Sequence, residues 1–90
     1  MPHQRTSRTH SAHTVTLGAA VRELRACRDV SQETLAFRAK LHRNYVGAIE
    51  RGEINPTFRT LRTLAEGLEV ELSSLIRLSE EHEEDRVAAP

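Results

Sequence analysis

Between Ser31 and Arg51 the chain carries a group of side chains made to donate and accept hydrogen bonds: Gln32, Arg43, Asn44 and Arg51. They are interleaved with Leu35, Ala36, Leu41, Val46 and Ile49. That spacing lets two short crossed helices bury the apolar set together and leave the polar set pointing outward. The chemistry available to such a surface is recognition rather than turnover. No nucleophile, acid and base are grouped anywhere in the 90 residues, and no cleft-forming architecture fits in so short a chain, so an enzyme is the poorest of the function classes.

Positioning these residues falls to one small all-α domain. A chain of this size buries only about 60% of the surface its unfolded form exposes, so its stability margin is thin. Aromatics are limited to Phe37, Tyr45 and Phe58, while Leu, Ala, Arg and Glu abound, which favours helices over a β-sandwich. The sequence shows neither a run of about 18 apolar residues nor a charged-then-apolar leader, and we expect a cytoplasmic protein with no membrane role. The single cysteine, Cys27, can form no internal disulfide and reads as a small buried hydrophobe within a helix.

Formal net charge is zero, but it is unevenly spread. Residues 1–16 carry +2, from Arg5 and Arg8; residues 17–78 carry +2; residues 79–90 carry −4. The sequence therefore divides into an N-terminal arm over 1–16, a domain over 17–78 and an acidic tail over 79–90. The arm is rich in Thr, Ser, His and Arg and reads as flexible, either inert or able to place its arginines in a minor groove. His10 and His13 lie three apart with no further ligand nearby, so neither metal nor cofactor is expected.

Five helices are predicted. The first spans about Leu17 to Arg28, with Leu17, Val21 and Leu24 as its stripe, Thr16 as its cap and Gly18 weakening its first turn. Ser31 caps the second, which ends near Ala39, and Lys40 is expected to turn the chain in a left-handed conformation more usual for glycine. The third runs from about His42 to Arg51 and stops at Gly52, before the extended Asn55-Pro56. Thr57 caps the fourth, which buries Leu61, Leu64, Ala65 and Leu68. A last short helix from Leu72 adds Leu75 and Ile76.

These residues resemble the lambda-repressor-like helix-turn-helix family of bacterial and phage regulators, the XRE or Cro/C1 type. The resemblance rests on LGAAVRELRACRDVSQETLA, on YVGAIERG, on NPTFRTLRTLAEGLEV and on the order and lengths of five helices, and it covers Leu17 to about Leu78. The segment LAFRAKLHRNYVGAIERGEINP is further similar to controller proteins of restriction-modification systems. The implied fold is a compact five-helix DNA-binding domain. The implied function is a sequence-specific transcriptional regulator that binds double-stranded DNA as a homodimer on a two-fold symmetric operator.

The resemblance also implies roles. Gln32 matches a residue that anchors a phosphate at the start of helix 2. Arg43 and Asn44, with His42 and Tyr45 beside them, match the first turn of the recognition helix. There Arg can donate twice to guanine, Asn can pair with adenine, and a ring can meet a thymine methyl or a phosphate. Arg51 and Asn55 match contacts to the sugar-phosphate backbone. Arg25 and Glu50 match a partly buried salt bridge that fixes the recognition helix on the first helix. Leu72, Leu75, Ile76 and Leu78 exceed what a short terminal helix needs and are expected to form the two-fold interface.

Several residues depart from the pattern. Gly47 and Ala48 lack side chains that would continue base contacts, Glu53 stands where a basic residue is frequent and would repel a phosphate, and His42 replaces the usual Ser, Thr or Asp cap. Tyr45 serves equally as a core residue, and Arg51 equally in an intramolecular pair. The competing reading is an antitoxin or other protein-interaction module that keeps the fold and binds a protein partner.

Overall fold

Five α-helices, and no strand, make up residues 11–88, the part of the chain that the computed structural model describes. They are α1 (Ala12–Cys27), α2 (Gln32–Ala39), α3 (Arg43–Glu50), α4 (Phe58–Leu68) and α5 (Leu72–Ala88). One core holds them together, with Val21, Leu35, Val46, Ile49, Leu64, Leu68 and Leu75 wholly inside. Among the described residues no helix is long and apolar enough to cross a membrane.

Local chemistry sets the helix boundaries. Ser31 accepts from the Thr34 N–H at 3.0 Å and Thr57 from the Thr60 N–H at 3.2 Å, the N-cap bond that satisfies one of each helix's orphan donors. Lys40 closes α2 at φ 59°, and the Leu41 N–H reaches back to the Ala36 carbonyl at 2.9 Å, the reverse turn that ends a helix by a left-handed residue. Gly52, at φ 77°, closes α3 in the same way.

α1 begins earlier than Leu17. Ser11, not Thr16, is its cap, accepting from the Thr14 N–H at 3.2 Å. Thr14 and Thr16 are buried, and the Thr16 hydroxyl donates to the Ala12 carbonyl at 3.0 Å and lies 3.5 Å from the Ser79 hydroxyl on α5. A threonine that satisfies its own hydroxyl within the helix can be buried, which a reading of composition misses. Residues 12–16 of the expected arm are thus helix, while Arg5, Arg8 and His10 fall outside the described residues.

The acidic tail is likewise helical as far as Ala88. Glutamate is a good helix former, and the extension is fastened to α1, on which α5 makes its most extensive packing. His82 Nε2 lies 2.7 Å from Glu23, and His13 Nδ1 lies 3.2 Å from Glu83.

Two further expectations are corrected. Cys27 is exposed, because the chain turns at left-handed Asp29 and Val30 closes that end of the core instead. Leu75 is 0% exposed within its own subunit, so it is a core residue with no surface to offer a partner. Leu72 and Leu78 are half-buried against the core, and Ile76, at 37%, is the most open of the four.

Candidate nucleic-acid interface

The first turn of α3 stands clear of the body. His42 caps it in place of a hydroxyl or carboxylate, its Nδ1 accepting from the Asn44 N–H at 3.1 Å. Arg43 and Asn44 are exposed, and among the described residues neither side chain has a hydrogen bond or ion pair of its own. Tyr45 is turned inward and half-buried against the core. The ring is therefore chiefly a packing residue, and Asn55 is exposed on the loop beyond.

Gln32, Arg43, Asn44, Gly47 and Arg51 line one polar hollow of about 170 Å³ between α2 and α3. Gly47 forms part of its wall: a methyl group there would stand 3.1 Å from Arg51 Nη1 and 3.8 Å from Gln32 Oε1. The bare glycine therefore leaves room for both side chains over the helix. Four nitrogen-bearing side chains, those of Gln32, Arg43, Asn44 and Arg51, border it beside the N-terminal end of α2, an arrangement suited to an oxygen anion.

Beneath the hollow, Glu50 holds the reading helix in place. Glu50 is 4% exposed, and its carboxylate accepts from Arg25 Nε at 2.7 Å, from Arg25 Nη2 at 3.1 Å and from Gln32 Nε2 at 2.9 Å. Arg25 Nη1 donates onward to the Val30 carbonyl at 3.0 Å, and Arg22 Nη1 to the Glu50 carbonyl at 2.9 Å. A buried carboxylate with a bidentate guanidinium and an amide on it is fully satisfied, so the site joins α1, α2 and α3 without stranding a charge. Gln32 thus has a structural bond that its sequence position did not announce. Its amide nitrogen retains a second hydrogen for the hollow.

Arg51 is engaged within its own chain. Its Nε and Nη2 donate to the two oxygens of Glu53 at 2.8 and 3.2 Å, both side chains being largely exposed. The hydrogen bond first, and the attraction of the carboxylate second, hold the guanidinium's pKa above its ordinary value. Away from this surface, α5 presents a groove lined by Leu72, Ser73, Ile76, Arg77 and Glu80. Phe37 and Phe58 are exposed, the latter with Arg62 5.9 Å above its ring. Sequence periodicity gave no sign of either ring's exposure.

The helix-turn-helix family pattern matches residues 21–75, more than half of the chain, and the chain belongs to that family. Among its relatives are restriction-modification controllers. It is 42% identical over 60 residues to the control protein C.SmaI of Serratia marcescens, covering 67% of this chain and 71% of that one. The crystal structure of the controller C.AhdI from Aeromonas hydrophila superposes with a TM-score of 0.71 at 43% identity, covering 72% of this chain and 98% of that one. The controller C.Esp1396I, solved as a tetramer on its natural 35-base-pair operator, superposes with a TM-score of 0.76 at 26% identity, covering 81% of this chain and 96% of that one.

Proposed function

We propose that this protein is a cytoplasmic, sequence-specific transcriptional regulator that binds a two-fold symmetric operator as a homodimer and controls a restriction-modification operon. The observation that carries this reading is the open first turn of α3, where Arg43 and Asn44 have no partner among the described residues and border the polar hollow. In this role the N-terminal end of α3 enters the major groove. Arg43 donates to guanine O6 and N7, and Asn44 pairs with an adenine edge. Gln32, the N–H groups at the start of α2, Arg51 and Asn55 hold the backbone and carry no sequence information. His42 shapes the first turn through its cap. No catalytic step, metal or cofactor enters.

One such helix reads too few base pairs to find a site among millions of competitors, so two subunits are required. The groove on α5 supports a two-fold contact. Leu72 and Ile76 are its apolar floor, and Arg77 and Glu80 have opposite charges, so each can meet the other across a dyad. Half-sites then lie about 34–36 Å apart, one turn of DNA.

Selection from a random DNA pool tests the proposal. A recovered site with two inverted half-sites one turn apart is the expected result. Recovery of no sequence preference, together with capture of a stable protein complex, would instead favour the antitoxin reading, to which the 84% exposed Phe37 lends some support.

A further inference from the structure

We propose that His42 makes the order of the first turn of α3 depend on pH, capping the helix as a neutral imidazole and releasing it when protonated. The cap is a property of the fold; its effect on DNA rests on the binding role proposed above.

The Asn44 N–H points at His42 Nδ1, 3.1 Å away. The hydrogen of the amide fills that contact, so Nδ1 must bring a lone pair, and the single proton of the neutral ring sits on Nε2. Among the described histidines His42 is alone in facing a donor. His13 and His82 face the carboxylates of Glu83 and Glu23, which accept from a protonated ring as well as from a neutral one. A proton on Nδ1 of His42 would set two donors against each other, so the ring must swing away and leave the Asn44 N–H to water. The Ser31 and Thr57 hydroxyls that cap α2 and α4 undergo no such change.

Nothing else at this end of α3 compensates. Its first turn holds no acid, whereas α2 has Glu33, and Arg43 already sets one positive charge at the positive end of the helix dipole. A protonated His42 would be a second. With only eight residues, α3 is too short to persist without fixed ends. It packs on α1 and α2. Of their charged groups, Arg22 and Arg25 are held by Glu50 at the opposite end of α3, Glu23 is on His82, Arg28 and Arg38 donate to the Glu69 and Gly67 carbonyls, and Glu33 is exposed. None of these, nor neighbouring Lys40 and Arg43, forms an ion pair with the ring. Because the neutral form makes the cap, the turn is fully ordered above the range of about pH 5–8 in which an imidazole gains its proton, and loses order as pH falls through it.

The test follows three proteins from about pH 8 to about pH 5.5 at fixed ionic strength. They are the wild type, His42→Asn, whose amide oxygen caps without titrating, and His42→Ala, which cannot cap. In free wild-type protein the Asn44 amide and His42 Nδ1 resonances should titrate together, and the helical Cα shifts of Arg43, Asn44 and Tyr45 should shrink on acidification. His42→Asn should keep those shifts throughout, and His42→Ala should show the reduced ones at both ends of the range. The ratio of affinities for the selected operator and for random duplex cancels the attraction that added positive charge gives on any DNA. It is expected to fall about two- to fivefold in the wild type, the order of one N-cap, and to hold in His42→Asn. Wild-type shifts that ignore pH, a His42→Asn protein that changes as the wild type does, or a wild-type ratio that holds or rises on acidification would overturn the proposal. Wild type that binds no DNA at any pH while its Asn44 and Nδ1 signals titrate together would support the cap and bring down the DNA-binding role instead.

Discussion

Replacing Glu50 by alanine removes the acceptor that Arg25 and Gln32 share in a nearly dry site. Breaking a buried pair from one side costs about 3–5 kcal/mol, a large part of the roughly 5–15 kcal/mol that holds a small domain. We expect Glu50→Ala to be largely unfolded or to lose most of its urea midpoint. Gln32→Ala, which deletes one bond of the same network, should cost only about 1 kcal/mol. Equal, small losses for the two would mean that the network does not hold the reading helix. At this scale the sequence was informative where a family pattern named a pair, as for Arg25 and Glu50. It was silent on the bond from Gln32, because an amide suits both a phosphate and a carboxylate and only geometry divides its hydrogens. Arg51 was open between two partners for the same reason. Cys27 was misread because a terminal turn of helix follows no core stripe once Val30 fills the gap.

At the scale of elements, the crossing of α1 over the end of α3 depends on Gly18. A methyl group on Gly18 would fall inside contact distance of the backbone carbonyls of Ile49 and Glu50, which cannot swing aside as a side chain can. Gly18→Ala gains about 1 kcal/mol of helix propensity. The overpacking costs about 1–3 kcal/mol, and moving the C-terminus of α3 disturbs the Arg22 and Arg25 contacts as well. We therefore expect a net loss of thermal stability by calorimetry, and a raised melting temperature would contradict this account of the crossing. The order of the five helices, the caps at Ser31 and Thr57 and the left-handed Lys40 were all legible, since each follows from local chemistry. The start of α1 and the length of α5 were not, because each is stabilised by the other. Thr16 meets Ser79, Glu23 meets His82 and His13 meets Glu83, contacts between residues some sixty or seventy positions apart.

For the whole molecule, the proposed function requires a dimer, and Leu75 shows why its surface could not be read from apolar spacing alone. Adjacent leucine and isoleucine on one helix look alike in sequence, yet Leu75 faces its own core while Ile76 borders the open groove. Ile76→Glu places a charge on the proposed dyad and leaves the core intact. Sedimentation at tens of micromolar is expected to show a dimer for the wild type and a monomer for the variant; a monomer in both cases would remove the groove as an interface. With zero formal charge, general attraction to DNA is weak, so affinity rests on correctly placed contacts. The most direct measurement is the affinity of wild type and Arg43→Ala for the selected operator and for random duplex at one fixed salt concentration. We predict a loss of about 1–3 kcal/mol on the operator, with relaxed preference at a single base position in each half-site and little change on random DNA. Equal losses on both DNAs, with the base preference unchanged, would contradict the assignment of α3 as the helix that reads sequence.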